Sequence, residues 1–142
     1  MDEELQRDIH RIVGSDSNLR ILPNDEAARL LKTFEDTYVV KADSLWWWEC
    51  LKTPSKSVNY DPDESLDSLK SLLSDKEGEL LLVVTDDDSP PWIVIEGKLD
   101  HLMKLVEDLR YFEYFVADRS TRWIVFDTHH NQFVITNAST SE

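Results

Sequence analysis

Apolar residues recur with helical spacing at the start of the chain. Leu5, Ile9, Ile12 and Val13 form one stripe, which predicts a first helix over 3–13 that Gly14 stops. NLRIL (18–22) reads as a short extended piece ended by Pro23. Asn24 then offers an N-cap, with Asp25 and Glu26 in the first turn, for a second helix burying Ala27, Leu30, Leu31 and Phe34. Tyr38–Val40 reads as the start of a strand, SLWWWECLK (44–52) as the next extended piece and TPSKSVNY (53–60) as a loop. Asp61-Pro62-Asp63-Glu64 has the form of a helix start, with Asp61 as cap and Pro62 in first position, and Leu66, Leu69, Leu72 and Leu73 supply that helix's apolar face.

From residue 79 the period changes. ELLLVVT (79–85) is apolar at nearly every position and predicts a buried central strand, which PWIVIEG (91–97) follows as a hairpin partner. Leu99, Leu102, Met103, Val106 and Leu109 mark a fourth helix. YFEYFVA (111–117), WIVFD (123–127) and QFVIT (132–136) are separated only by short turns, the signature of an antiparallel meander. The pattern predicts a single α+β domain over 1–142: two N-terminal helices and a mostly antiparallel sheet of about five or six strands, with helices packed on one face and a frayed tail at 136–142.

Composition narrows the class. The chain has 142 residues, 41% of them hydrophobic, so it resembles a folded domain more than an acidic tail. Its one cysteine, Cys50, excludes an internal disulfide framework and a cysteine-based zinc cluster. No apolar run reaches membrane-span length, and the opening MDEELQRDIHRIV is unlike a secretory signal, so a cytoplasmic location is expected.

The net charge of −14 is concentrated: residues 61–100 hold 12 acidic and 3 basic side chains. Two clusters dominate, Asp61, Asp63, Glu64 and Asp67, then Asp86, Asp87 and Asp88. Such a surface repels nucleic-acid phosphates and anionic membranes, so neither is an expected partner; it attracts a basic protein, or it serves solubility alone.

Chemistry-bearing patterns are sparse. His129 and His130 beside Asp127 are the nearest approach to a metal or acid–base cluster, although adjacent strand side chains point to opposite faces and a polar turn between strands accounts for them better. Glu113 and Asp118 lie close enough in sequence to Asp127 to form a carboxylate pair, while His10 and His101 look incidental in their helices. The aspartate triplet lacks the ligand spacing of a calcium loop, and Gly14, Gly78 and Gly97 are too far apart for a phosphate loop. Cys50 stands among Trp48, Glu49 and Leu51 without a base, as a structural thiol would. No enzyme activity and no cofactor are expected. Trp46, Trp47 and Trp48 alternate across a strand, so at least one indole faces away from the core side, where tryptophan serves either packing or partner contact.

The segment RYFEYFVADRSTRWIVFDTHHNQFVITN (110–137), an aromatic strand, a W-I-V-F-D strand and a polar turn into a last strand, resembles small bacterial cytosolic immunity proteins of toxin–immunity systems, the polymorphic-toxin and contact-dependent growth inhibition type. The resemblance covers the last sixty or so residues. It implies a protein that binds a cognate, basic toxin domain such as a nuclease one-to-one and occludes it without chemistry. Combined with the charge, it points to Asp86, Asp87, Asp88, Asp61, Asp63, Glu64 and one of Trp46, Trp47 and Trp48 as partner contacts. The alternative is a general protein-binding adaptor or scaffold with no toxin partner.

Overall fold

A computed structural model describes residues 3–39, 51, 55–76, 78–85, 92–109, 112–128 and 132–137. Among these residues seven strands form one sheet, β1 (Leu19–Ile21), β2 (Ser55–Asn59), β3 (Glu79–Val84), β4 (Ile93–Lys98), β5 (Tyr114–Ala117), β6 (Trp123–Asp127) and β7 (Gln132–Asn137). Their order is β1-β4-β3-β5-β6-β7-β2, and every neighbouring pair is antiparallel. Among the described residues four α-helices accompany them: α1 (Glu3–Gly14), α2 (Asn24–Tyr38), α3 (Ser65–Leu72) and α4 (Leu99–Asp108). The class is α+β, with more strands than the five or six expected.

The inner strands are buried on both faces, because each carries apolar residues at consecutive positions. Leu80, Leu82 and Val84 of β3 join Leu5 and Ile9 of α1, Leu69 and Leu73 at α3, and Leu102, Met103 and Leu105 of α4 in a first core. Leu81 and Val83, with Phe115, Ala117, Ile124 and Phe126, face the other way and form a second core under Ala27, Leu31, Phe34 and Tyr38 of α2. The expected packing of helices on one face therefore holds for α1, α3 and α4, whereas α2 covers the opposite face. A sheet apolar on both sides requires such cover, since each exposed leucine side chain forfeits about 1.5–3 kcal/mol.

Several boundaries differ from those expected. Segment 53–60 is not all loop: Ser55–Asn59 pairs with β7 in unbroken register, from Ser55↔Thr136 to Asn59↔Gln132. Only Val58 in it is apolar, so backbone pairing rather than hydrophobic alternation makes this strand. Tyr38 ends α2 instead of opening a strand, and Val39 forms an isolated bridge to Leu51. Pro23, not Asn24, caps α2, and Leu30 is half-buried where full burial was expected. Thr136 is buried and Asn137 is paired, so the chain is ordered to residue 137 where a frayed tail was expected from 136.

One contact constrains the chain with particular force. Leu19 stands opposite Gly97 where β1 crosses onto β4. A Cβ on Gly97 would lie 2.5 Å from the Leu19 Cδ2 and 2.9 Å from the Asn18 carbonyl oxygen, so only glycine permits this approach. No described helix is long and apolar enough to cross a membrane.

Candidate functional site

The acidic corner is built from the end of β2. Tyr60 lays its ring against Phe133, with centroids 4.5 Å apart, and donates its hydroxyl hydrogen bond to Asp127 Oδ1 at 2.7 Å. The chain then turns. Asp61 Oδ1 accepts the Asp63 N–H at 3.0 Å, and the Asp61 carbonyl accepts the Glu64 N–H at 2.8 Å. The product is a single 3-10 turn, Pro62–Glu64, that leads into α3. Asp61 thus caps the 3-10 turn, where it was expected to cap an α-helix, and α3 itself starts only at Ser65. Leu69 and Leu73 anchor α3 in the first core, leaving Asp61, Asp63, Glu64 and Asp67 exposed on a fixed frame. Of the residues expected to contact a partner, Asp61, Asp63 and Glu64 stand here, with Asp67 beside them; Asp86, Asp87, Asp88, Trp46, Trp47 and Trp48 lie outside the described residues.

Asp127 belongs to a different environment from the metal site considered for it. It is buried at the end of β6, accepts the Tyr60 hydroxyl and stands in register with Tyr114, whose hydroxyl is also hydrogen-bonded to it. Burial first, then the neighbouring Asp127 charge, pushes the Tyr114 phenol well above its ordinary range near 10. Among the described residues no three histidine, cysteine, aspartate or glutamate side chains gather as metal ligands. His129 and His130 lie outside them. Asp118 has partners of its own: it caps the β5–β6 turn through the Ser120 N–H and takes the Arg122 guanidinium.

The raised phenol has a measurable consequence. The unfolded chain loses the Tyr114 proton near pH 10 while the folded chain keeps it, so stability is intact below about pH 10 and falls as pH rises beyond it. Denaturant titrations at stepped alkaline pH should show this fall, and Tyr114→Phe should flatten it.

Two polar clusters escaped the sequence pattern. Glu96, on β4 facing the second core, accepts Arg20 at 2.7 Å and Arg119, and Arg119 also reaches Glu26 in the first turn of α2. His101 is not incidental: its Nδ1 lies 2.9 Å from Asp16 Oδ2, tying α4 to the turn after α1. The Asn18 N–H, then His101, hold the Asp16 carboxyl below the usual range. The partners in these clusters lie far apart in the chain, 76 residues for Arg20 and Glu96 and 85 for His101 and Asp16, so no local spacing could reveal them.

These features define a small α+β protein in which buried Glu96 joins α2 to the sheet through Arg119, and in which four exposed carboxylates, Asp61, Asp63, Glu64 and Asp67, stand within one turn and the start of α3. The chain belongs to a family of unknown function, DUF6756, whose model matches residues 15–142. That match takes in the whole sheet and leaves α1 before it. No curated protein matches the chain.

Proposed function

We propose that this protein is an immunity-type inhibitor that binds a basic toxin domain, such as a nuclease, in the cytoplasm. The observation that carries the proposal is the exposed acidic corner Asp61, Asp63, Glu64 and Asp67, held by Tyr60 and by the Asp61 turn. Carboxylates on a rigid frame lose little freedom on docking, and their summed field steers a cationic surface toward them. Against a nuclease they occupy the groove that otherwise receives phosphates. Inhibition then comes from occupancy, with no bond made or broken. The further acidic residues of 68–100 add to the same field, and the likeness of 110–137 to immunity proteins supports the conclusion from a separate segment.

The test begins with co-purification of the chain and the C-terminal domain of the protein encoded immediately upstream, followed by calorimetry and stopped-flow at low and high salt. A one-to-one complex that salt weakens is expected. The double variant Asp63→Lys with Glu64→Lys spares Asp61, which shapes the turn, and should slow association about tenfold or more at low salt. Equal rates for variant and parent would remove the corner from the interface. If no basic partner is retained, the adaptor alternative replaces the inhibitor.

A further inference from the structure

The strand β2 closes one end of the sheet, and among the described residues no strand lies beyond it. Ser55, Lys56, Ser57 and Asn59 are exposed and Val58 is half-buried. Sheet edges elsewhere are blunted by bulges, prolines, very short strands or charged side chains, above all lysine. The opposite edge follows that rule, since β1 has three residues. β2 has five, in regular register and with no proline between Ser55 and Asn59, and its single charge is Lys56.

The direction of its backbone groups follows from the ladder. The Gln132 carbonyl accepts the Thr128 N–H, so residue 132 turns its backbone groups toward β6. In a strand that direction alternates, so 133 and 135 turn toward β2 and meet their register partners Val58 and Lys56. Ser55, Ser57 and Asn59 accordingly direct their N–H and C=O groups outward. A second antiparallel strand centred on Ser57 finds three residues ready to pair.

We infer that β2 is a homodimer edge, at which β2 of a second copy pairs antiparallel about Ser57 to join two seven-stranded sheets into one. The strand is self-complementary in that arrangement. Ser57 faces Ser57 of the second copy, Ser55 faces Asn59, and Lys56 faces Val58, so no like charges stand directly opposite. The antiparallel sense also supplies charge complementarity. Each strand carries its lysine toward one end and runs at the other into Tyr60 and the acidic corner, so each Lys56 is directed toward the acidic end of the other copy. A parallel arrangement would set lysine beside lysine and acid beside acid.

The electrostatics of this contact differ in sign from those of basic-partner docking. Each chain carries −14, so two copies repel at long range and added salt strengthens the dimer, while it weakens a complex with a cationic protein. The two interactions are therefore separable by salt alone, and the failure of one leaves the other standing.

Sedimentation velocity over a wide concentration series, at low and high salt, is the test. Wild type should pass from 16.6 kDa toward twice that mass, at lower concentration in high salt. Ser57→Pro removes an outward N–H without touching the β7 ladder and should stay monomeric. Ser57→Lys sets two lysines opposite each other at the symmetry centre; it should also be monomeric, and it serves if the proline variant does not fold. A wild type that stays at 16.6 kDa throughout would overturn the inference. So would a dimer that both folded variants retain, or β2 amides that gain protection from exchange only when a foreign protein is added.

Discussion

Phe115→Ala should destabilise the protein by about 3–5 kcal/mol, the usual cost of emptying a large aromatic site in a core. Phe115 sits on β5, in the middle of the strand order, with 1% of its surface exposed. Its ring meets Phe34 of α2 edge-on, with centroids 6.0 Å apart, and Phe126 of β6 at 5.2 Å. It therefore joins helix, central strand and meander at once, and no neighbour can collapse into the space without leaving its own contacts. Against a total stability of about 5–15 kcal/mol, the loss places the variant near its unfolding threshold at room temperature. Urea denaturation of the two proteins measures it. A change below about 1 kcal/mol would mean that α2 does not pack on this face.

Glu96→Ala is the second large effect, expected at about 2–3 kcal/mol. The Glu96 side chain is 9% exposed, while Arg20 and Arg119 are 56% and 40% exposed. The asymmetry sets the magnitude. Both arginines can turn to water once their acceptor is gone, so the cost lies below that of stranding a fully buried charge. Arg119→Ala leaves Glu96 with Arg20 and should cost less, about 1 kcal/mol, chiefly from releasing Glu26 and the first turn of α2. A double-mutant cycle between Glu96 and Arg119 isolates their coupling. If Glu96→Ala and Arg119→Ala cost the same and add fully, the two groups act independently and the network is a coincidence of surface rotamers.

What could be read from the sequence follows from which forces shaped each part. The strands β3 to β7 announce themselves because hydrophobic burial drives them: ELLLVV and WIVFD have no other stable home than a sheet interior. The same runs, apolar at nearly every position, are covered on both faces, and α2 supplies the cover on the face where no helix was expected. SKSVN shows the opposite case. Its strand is fixed by backbone hydrogen bonds to β7, which leave no mark on side-chain periodicity. The acidic corner was visible as charge, but the hydrogen bond that holds its root joins Tyr60 to a residue 67 positions away. Asp127 was visible as a carboxylate beside histidines in sequence, while its described hydrogen-bonding partners in space are phenols, which sequence neighbourhood does not reveal.

The β5–β6 turn touches α2 at both ends. Arg119 reaches Glu26 in its first turn, and the Thr121 carbonyl, on a residue with φ of 61°, accepts the hydroxyl of Tyr38 in its last. These contacts span 93 and 83 residues of chain, so during synthesis α2 emerges long before the turn that receives it exists. At about 5–20 residues per second the helix waits several seconds with its apolar face uncovered. Closure of the second core is thus a late event in folding, and the early chain is the form of this protein most in need of a chaperone.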